Sequence, residues 1–231
     1  MKSSKTILVV AAHPDDEVLG CGGTIASYTD KNYKVFIIFM ADGVSSRNNE
    51  LISLVEVDKR KQFAISSCAI LGAQKPQFLG LPDNEMDTCS ILKITKKLES
   101  LIDKIKPNIV YTHHDNDLNI DHKLTYQAVM TACRPQPNSF VSEIYSFEVL
   151  SSTGWETSRP KHAFVPNTFI NITNHWEKKI EALKCYDNEM KDFPHARSYE
   201  SVRCLSRYRG ASVGVEYAEA FYLERKINKI R

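Results

Sequence analysis

The hydrophobic positions open with two short β-branched runs, Ile7-Leu8-Val9-Val10 and Val35-Phe36-Ile37-Ile38-Phe39, on either side of a stretch from Gly20 to Lys31 whose apolar residues suit a helix. This order predicts a β-α-β opening. Glu50 to Leu71 reads as a long amphipathic helix closed by Gly72, followed by a short strand at Gln77-Phe78-Leu79 and a turn at Leu81-Pro82-Asp83-Asn84. Another helix is predicted from about Cys89 to Ile105, stopping before Pro107. Asn108-Ile109-Val110-Tyr111-Thr112 is a strand by composition, and a polar loop then leads to a helix start near Asp121.

Strands alternating with helices of this length predict an α/β, Rossmann-like fold, a mostly parallel sheet with helices on both faces. Ligands of such sheets sit at the carboxyl ends of the strands. Beyond residue 150 the pattern is less regular, with a helix expected from Asn174 to Lys191 and a polar, Arg-rich stretch from Arg197 to Arg209. With 231 residues and 42% apolar content the chain can bury one sizeable core. A single domain is expected, residues 1–150 forming the α/β core and 151–231 packing on it.

Charge changes this picture little. The net charge of +2 is spread without a basic block, which argues against a nucleic-acid partner or an anionic membrane surface. The longest apolar runs, Ile7 to Ala12 and Val35 to Ala41, fall far short of the roughly 20 residues that span a bilayer. The apolar run near the N-terminus is also too short for a signal-peptide core, so the expected location is cytoplasmic. Cys21, Cys68, Cys89, Cys133, Cys185 and Cys204 form no CxxC pair and read as buried free thiols rather than a disulfide framework or a metal cage.

Candidate chemistry concentrates in two places. His13-Pro14-Asp15-Asp16-Glu17 directly follows the first strand, where ligands should bind, and can supply both metal ligands and a base. Acids after a proline are also ordinary helix N-terminus chemistry. A second cluster, His113, His114, Asp115, Asp117, Asn119, Asp121 and His122, follows a later strand; Asn119 or Asp121 would cap the next helix there, which leaves the histidines unexplained. Zinc hydrolases commonly use three His or carboxylate ligands and leave a position open for water, and His13, Asp16 and His122 would make that set. A dinucleotide fingerprint is disfavoured because eight residues, Ala12 through Leu19, separate the first strand from Gly20. Gly20, Gly22 and Gly23 read instead as packing positions, and no cysteine is marked as an activated nucleophile.

These motifs resemble the LmbE/PIG-L-like N-deacetylases, metal-dependent enzymes acting on N-acetylglucosaminyl compounds, and the resemblance covers most of the chain. His13-Pro14-Asp15-Asp16-Glu17 is similar to the family's first motif, and Thr112-His113-His114 through Asp121-His122-Lys123 to its second. Arg60, Leu71-Gly72 and Leu79-Gly80-Leu81-Pro82-Asp83 look like further landmarks. Phe193-Pro194-His195 and Ala218-Glu219-Ala220-Phe221 resemble segments of bacterial sugar deacetylases of the family. The resemblance implies His13, Asp16 and His122 as zinc ligands, Asp15 as general base, and Arg60 and Asp83 facing the sugar. Arg60 also suits a solvated helix face in Asp58-Lys59-Arg60-Lys61, and Asp83 also suits turn initiation.

One departure stands out. Many members carry His-Pro-Asp-His in the second motif, where this chain has Asn119-Ile120-Asp121-His122. Asn119 is therefore a candidate for the missing histidine's role at the tetrahedral intermediate, and His195, in a polar segment without strong helical periodicity, is expected to supply a further polar group over the substrate. The implied activity is hydrolysis of an acetamide on a small-molecule N-acetylated sugar or glycoconjugate. The competing reading is a non-catalytic metal- or nucleotide-dependent glycoconjugate-binding module. Histidine and carboxylate ligands suit Fe2+ as well as Zn2+, and the sequence leaves room for a homo-oligomer.

Overall fold

The computed structural model describes residues 5–46, 53–137, 139–156 and 163–228. The first part of the chain alternates strictly: β1 (Thr6–Ala11), α1 (Asp16–Asp30), β2 (Lys34–Ala41), α2 (Ser53–Ile70), β3 (Gln77–Leu81), α3 (Ile91–Ile105), β4 (Ile109–His113), α4 (Ile120–Ala132) and β5 (Glu143–Phe147). β6 (Thr168–Asn171), α5 (Trp176–Lys184), α6 (Tyr199–Ala211) and β7 (Ala218–Lys226) follow. The strands form one seven-stranded sheet in the order β3-β2-β1-β4-β5-β7-β6, in which β1 to β5 are parallel and β7 runs antiparallel to both its neighbours.

The central strands β1 and β4 are buried almost throughout and mostly apolar because both faces are covered. Along β1, Ile7, Val9 and Ala11 enter a core shared with α1, α2, α5 and α6, while Leu8 and Val10 enter a second core under α3 and α4. The chain steps outward from β1 to β2 to β3 and then returns to the other side of β1 as β4. That reversal leaves a crevice at the carboxyl ends of β1 and β4, the position where open α/β sheets bind ligands. No helix among the described residues is long and apolar enough to cross a membrane.

Several expectations are corrected. α1 begins at Asp16, not Gly20, so Asp16 and Glu17 form its first turn and the glycines lie inside it. The expected start of α2 at Glu50 lies outside the described residues. The helix expected from Asn174 to Lys191 closes at Lys184, and a 3-10 turn at Asp187–Glu189 follows, with Tyr186 drawn into the core. The Arg-rich stretch is helical as α6, capped by Ser198, whose hydroxyl accepts the Ser201 N–H at 3.0 Å. Its buried stripe is Val202, Ser206 and Gly210, correctly spaced but nearly devoid of hydrophobic signal. The C-terminal part does more than pack on the core, since β6 and β7 extend the sheet itself. All six cysteines are unpaired, but only Cys21, Cys68 and Cys133 are buried and Cys204 is exposed.

Close packing explains the glycines of α1. A Cβ on Gly23 would lie 2.7 Å from the Cβ of Ile172, and one on Gly20 would overlap the Phe147 ring at the end of β5. Gly20→Ala gains about 1 kcal/mol of helix propensity, whereas overpacking a filled core costs about 1–3 kcal/mol. Because the clash is with a ring fixed in the sheet, Gly20→Ala is expected to lower the urea midpoint. A midpoint at or above wild type would mean that α1 can back away from β5 without cost.

Candidate metal centre

β1 ends at Ala11, and the turn that follows is strained where the chemistry is richest. Asp15 has φ 112° and ψ −29°, a region non-glycine residues rarely occupy. Several bonds hold it there. Its N–H donates to Glu17 Oε2 at 2.9 Å, its carbonyl accepts from Val18 and Leu19, and Arg60 donates to the preceding Pro14 carbonyl at 2.5 Å. Glu17 is in turn fixed by the Tyr186 hydroxyl at 2.7 Å and the Ser67 hydroxyl at 3.3 Å. Burial pushes the Glu17 carboxyl up to about 7 against the pull of the Tyr186 hydrogen bond.

His13, Asp16 and His122 converge from the β1 turn and from α4, each offering a ligand atom within 4.8 Å of the others, and all are buried. The β4 loop delivers His122 because Asn119 caps α4, its Oδ1 accepting the Asp121 N–H at 2.8 Å. Each imidazole is oriented by a carboxylate behind it. His13 Nε2 lies 2.9 Å from Asp121 Oδ2 and 3.2 Å from Asp83 Oδ1, and its Nδ1 lies 3.4 Å from Asp16 Oδ2. His122 Nδ1 faces Asp117 Oδ2 at 3.2 Å, which turns Nε2 towards Asp16 Oδ2 at 3.3 Å. Asp121 and Asp117 are themselves anchored: Asp121 accepts the N–H groups of Asn84 and Met86, and Asp117 the hydroxyls of Ser152 and Thr153. A carboxylate behind each imidazole is the usual outer shell of a metal site.

Asp16 Oδ1 and His122 Nε2 are buried without a hydrogen-bond partner. Once the imidazole has given up its proton, these two atoms are buried acceptors of the kind a cation would satisfy, so the residues fit a divalent metal. Two overlapping groups, His113 with Asp117 and His122, and His13 with Asp83 and Asp121, meet the same distance criterion. In the first, His113 Nε2 is occupied by the Ala12 N–H at 2.8 Å, and burial together with the charge of His122 pushes its imidazole down to about 3. In the second, Asp121 is saturated by backbone donors. His13, Asp16 and His122 therefore form the best-supported set.

A polar cleft of ≈ 150 Å³ opens beside this triad, and Asp15, Arg60, Asp83 and Asn119 line it together with His13. Asp15 Oδ2 receives Arg60 at 2.9 Å and Arg197 at 2.8 Å, whereas Oδ1 is buried with no hydrogen-bond partner. Burial raises the Asp15 carboxyl above the ordinary range although Arg197 and Arg60 draw it down. Arg60 is 3% exposed, which removes the solvated-helix alternative, and its guanidinium also pairs with Glu189 at 2.9 Å. Asp83 accepts the Ser46 hydroxyl at 2.5 Å besides facing His13. Both ends of the Asn119 amide are engaged, the oxygen as cap and Nδ2 on Asn84 at 2.9 Å. His195 lies outside the cleft lining; its Nδ1 accepts the Arg197 N–H at 3.0 Å and its ring meets Trp155 edge-on.

Arg197, Glu189, Asp117 and Asp121 are contributors to which the sequence alone assigned no site role. Asp117 and Asp121 lay in the second cluster and could have been read as partners for its histidines. Arg197 and Glu189 carry no local signal, because they reach Asp15 and Arg60 only through the fold.

Residues 8–133 match the profile of the PIG-L family, GlcNAc-PI de-N-acetylase. The chain is 31% identical over 189 residues to the uncharacterized deacetylase YaiS of Escherichia coli, covering 78% of this chain and 89% of that protein. It is 26% identical over 192 residues to the 4-oxalmesaconate hydratase of Pseudomonas putida, with 78% and 72% covered. Its fold is similar to that of the N,N'-diacetylchitobiose deacetylase from Pyrococcus horikoshii, with a TM-score of 0.78 at 23% identity, covering 97% of this chain and 85% of that one.

The carboxylates around the triad set its response to pH. Burial lowers the proton affinity of both imidazoles, but hydrogen bonds to Asp121, Asp16 and Asp83 raise His13 well above its usual range, and the charges of Asp16 and Asp117 raise His122 to about 9. Ligation requires neutral imidazoles, so metal binding must displace these protons. Zinc affinity is expected to rise with pH up to about 9, with about two protons released per ion near neutrality. Calorimetric titration in buffers of different ionisation enthalpy measures this, and a pH-independent affinity without proton release would exclude His13 and His122 as ligands.

Proposed function

The chain belongs to the PIG-L family of GlcNAc-PI de-N-acetylases, and on that premise we propose that it is a zinc-dependent N-deacetylase hydrolysing the acetamide of an N-acetylglucosamine-type sugar or glycoconjugate. The observation that carries this reading is the unpartnered Oδ1 of Asp15 at a polar cleft beside His13, Asp16 and His122. These three residues would hold the ion. When bound, zinc would supply a Lewis acid that polarises the acetamide carbonyl and lowers the pKa of water towards about 7.

Asp15 Oδ1 takes the proton of the attacking water as its oxygen adds to the carbonyl carbon. The raised proton affinity of Asp15 brings the carboxylate closer to the strength a base needs near neutral pH. Arg60 and Arg197 on Oδ2 fix which oxygen remains for the water. As the C–N bond breaks, the proton passes from Asp15 to the nitrogen, and acetate and the free amino sugar leave. Arg60, already committed to Asp15 and Glu189, borders the sugar site, and Asp83 offers an acceptor for a sugar hydroxyl.

The relative that is a hydratase raises the question of water addition to a carboxylate-rich substrate. Among the described residues lining the cleft, the two guanidiniums are both paired with Asp15 and Glu189, which leaves the cleft better suited to an uncharged sugar. Acetate release from N-acetylglucosamine compounds, including diacetylchitobiose, with and without chelator separates the readings. A binding module or a hydratase would release none. Asp15→Asn is expected to keep its zinc and lose activity by about 10²- to 10⁴-fold; near-normal turnover in the zinc-replete variant would remove Asp15 from the mechanism.

For the developing oxyanion we propose His195, which lies outside the cleft lining and would act on a substrate that extends past it. The Arg197 N–H occupies its Nδ1, so the ring proton sits on Nε2 as a donor, while Asn119 is engaged at both ends. Loss of an oxyanion donor costs about 10²- to 10³-fold in turnover, the effect expected of His195→Ala at constant zinc content. Asn119→Ala should cost less. If the Asn119 variant shows the larger loss on one good substrate, the role moves to the amide.

A further inference from the structure

Helix α1 is interrupted just behind the candidate metal centre. At Cys21 the backbone leaves the helical region, with φ −148° and ψ 24°, which divides α1 into a first segment, residues 16–20, and a longer second one. In an unbroken helix the Gly23 N–H would donate to the Leu19 carbonyl. Here a buried ion pair stands in that gap. The Lys179 ammonium donates to the Leu19 carbonyl at 3.0 Å, and the Glu219 carboxylate accepts the N–H of Gly23 at 2.9 Å and of Thr24 at 2.7 Å. Lys179 and Glu219 close on each other at 2.6 Å, with side chains 2% and 3% exposed.

The insertion follows the electrostatics of helix ends: a cation meets the carbonyl end of the first segment, and an anion meets the N–H end of the second. Gly22 leaves room for it, since a Cβ there would lie 3.3 Å from Lys179 Cγ. Both charged residues come from the C-terminal part of the chain, Lys179 from α5 and Glu219 from β7. As a source of stability the pair is a poor choice, because buried ion pairs at best match the apolar residues that could replace them. What the pair does determine is where the first segment stops and how it is aimed. That segment begins with Asp16, whose N–H donates to the His13 carbonyl, and its Val18 and Leu19 N–H groups donate to the Asp15 carbonyl.

We infer that Lys179 and Glu219 are positioning residues, which hold the first segment of α1 at the angle that presents Asp16 and Asp15 to His13 and His122. This rests on the reading of that site given under Proposed function. It asks more of the two residues than packing, because their loss must be felt at the metal.

The test uses the full chain as Lys179→Met, Glu219→Gln and the double variant Lys179→Met/Glu219→Gln, with zinc as the probe. Unfolding midpoint, zinc affinity by competition with a chromophoric chelator, and kcat and KM of the zinc-saturated protein are measured. Each single change leaves one buried group uncompensated and lowers the midpoint. The double variant removes both charges and keeps a midpoint near wild type, yet binds zinc on the order of 10- to 100-fold more weakly and loses about 10²-fold in kcat through misplacement, with KM unchanged. Should the double variant fail to fold, Glu219→Gln, which keeps one of the two acceptors, carries the same comparison. A folded variant with wild-type zinc affinity and kcat overturns the inference alone. A wild-type chain that binds no zinc overturns the reading of the site, and this inference with it.

Discussion

Six carboxylates, Asp15, Asp16, Glu17, Asp83, Asp117 and Asp121, are withdrawn from water around the carboxyl ends of β1 and β4. Burying one ion without compensation costs several kcal/mol, roughly the margin by which a domain is stable at all. The surroundings answer each carboxylate separately. Asp121 has backbone N–H groups, Asp117 has two hydroxyls and His122, and Asp15 has two guanidiniums. Glu17 is pushed towards its neutral form, and Asp16, against the upward push of burial, is held low by His122 and His113. What is left over is an oxygen on Asp16 and a nitrogen on His122, buried and facing inward, together with Asp15 Oδ1. A divalent cation with its water answers the unpaired atoms in one stroke, which is why the metal reading follows from the charge distribution as well as from the motif.

The convergence of the two clusters was legible in the sequence for a topological reason, whereas the role of Asp15 came from the family resemblance. In a doubly wound sheet the ends of β1 and β4 must meet, so two His- and Asp-rich segments placed directly after those strands converge whatever lies between them. The limits of that legibility are equally physical. α6 went unseen because its buried face is Val202, Ser206 and Gly210, small residues that pack closely without registering as hydrophobic. The start of α1 was placed too late because Asp16 and Glu17 read as loop acids, although acids are common in a first helical turn. Arg60 lay in a run of charges that reads as solvated, and only the fold shows its guanidinium closing on Asp15 and the Pro14 carbonyl.

The division of labour between the two parts of the chain is the feature least visible in one dimension. The first part carries these six buried carboxylates, and one of the cations that offset them, Arg197 on Asp15, comes from beyond residue 150, as do both members of the buried pair Lys179–Glu219. The net charge of +2 conceals this placement, since Arg197 reaches Asp15 and Glu189 reaches Arg60 in space and not along the sequence. β7 lies between β5 and β6 and carries Glu219, and the turn after α5 carries Glu189, which bridges Arg60 and Arg197. The irregular pattern after residue 150 therefore reflects a segment whose task is to deliver single charged side chains to fixed points.

Seen this way, strain at Asp15 and the break at Cys21 belong to one arrangement. A helix that simply continued from the β1 turn would satisfy its own backbone and have no need of Lys179 or Glu219; a relaxed Asp15 would have no need of Glu17 or of Arg60 on the Pro14 carbonyl. Regular backbone has been given up twice within seven residues, as strain at position 15 and as a break in the helix at position 21, and in both places long-range charged groups fill the gap. Strained backbone persists only where the surroundings over-determine it, and such places cluster at functional sites. The short segment between the two breaks is the one that bears Asp16, so its orientation is set by side chains from α2, α5 and β7 and not by helix propensity. Precision at the candidate metal centre is thus a property of the whole sheet.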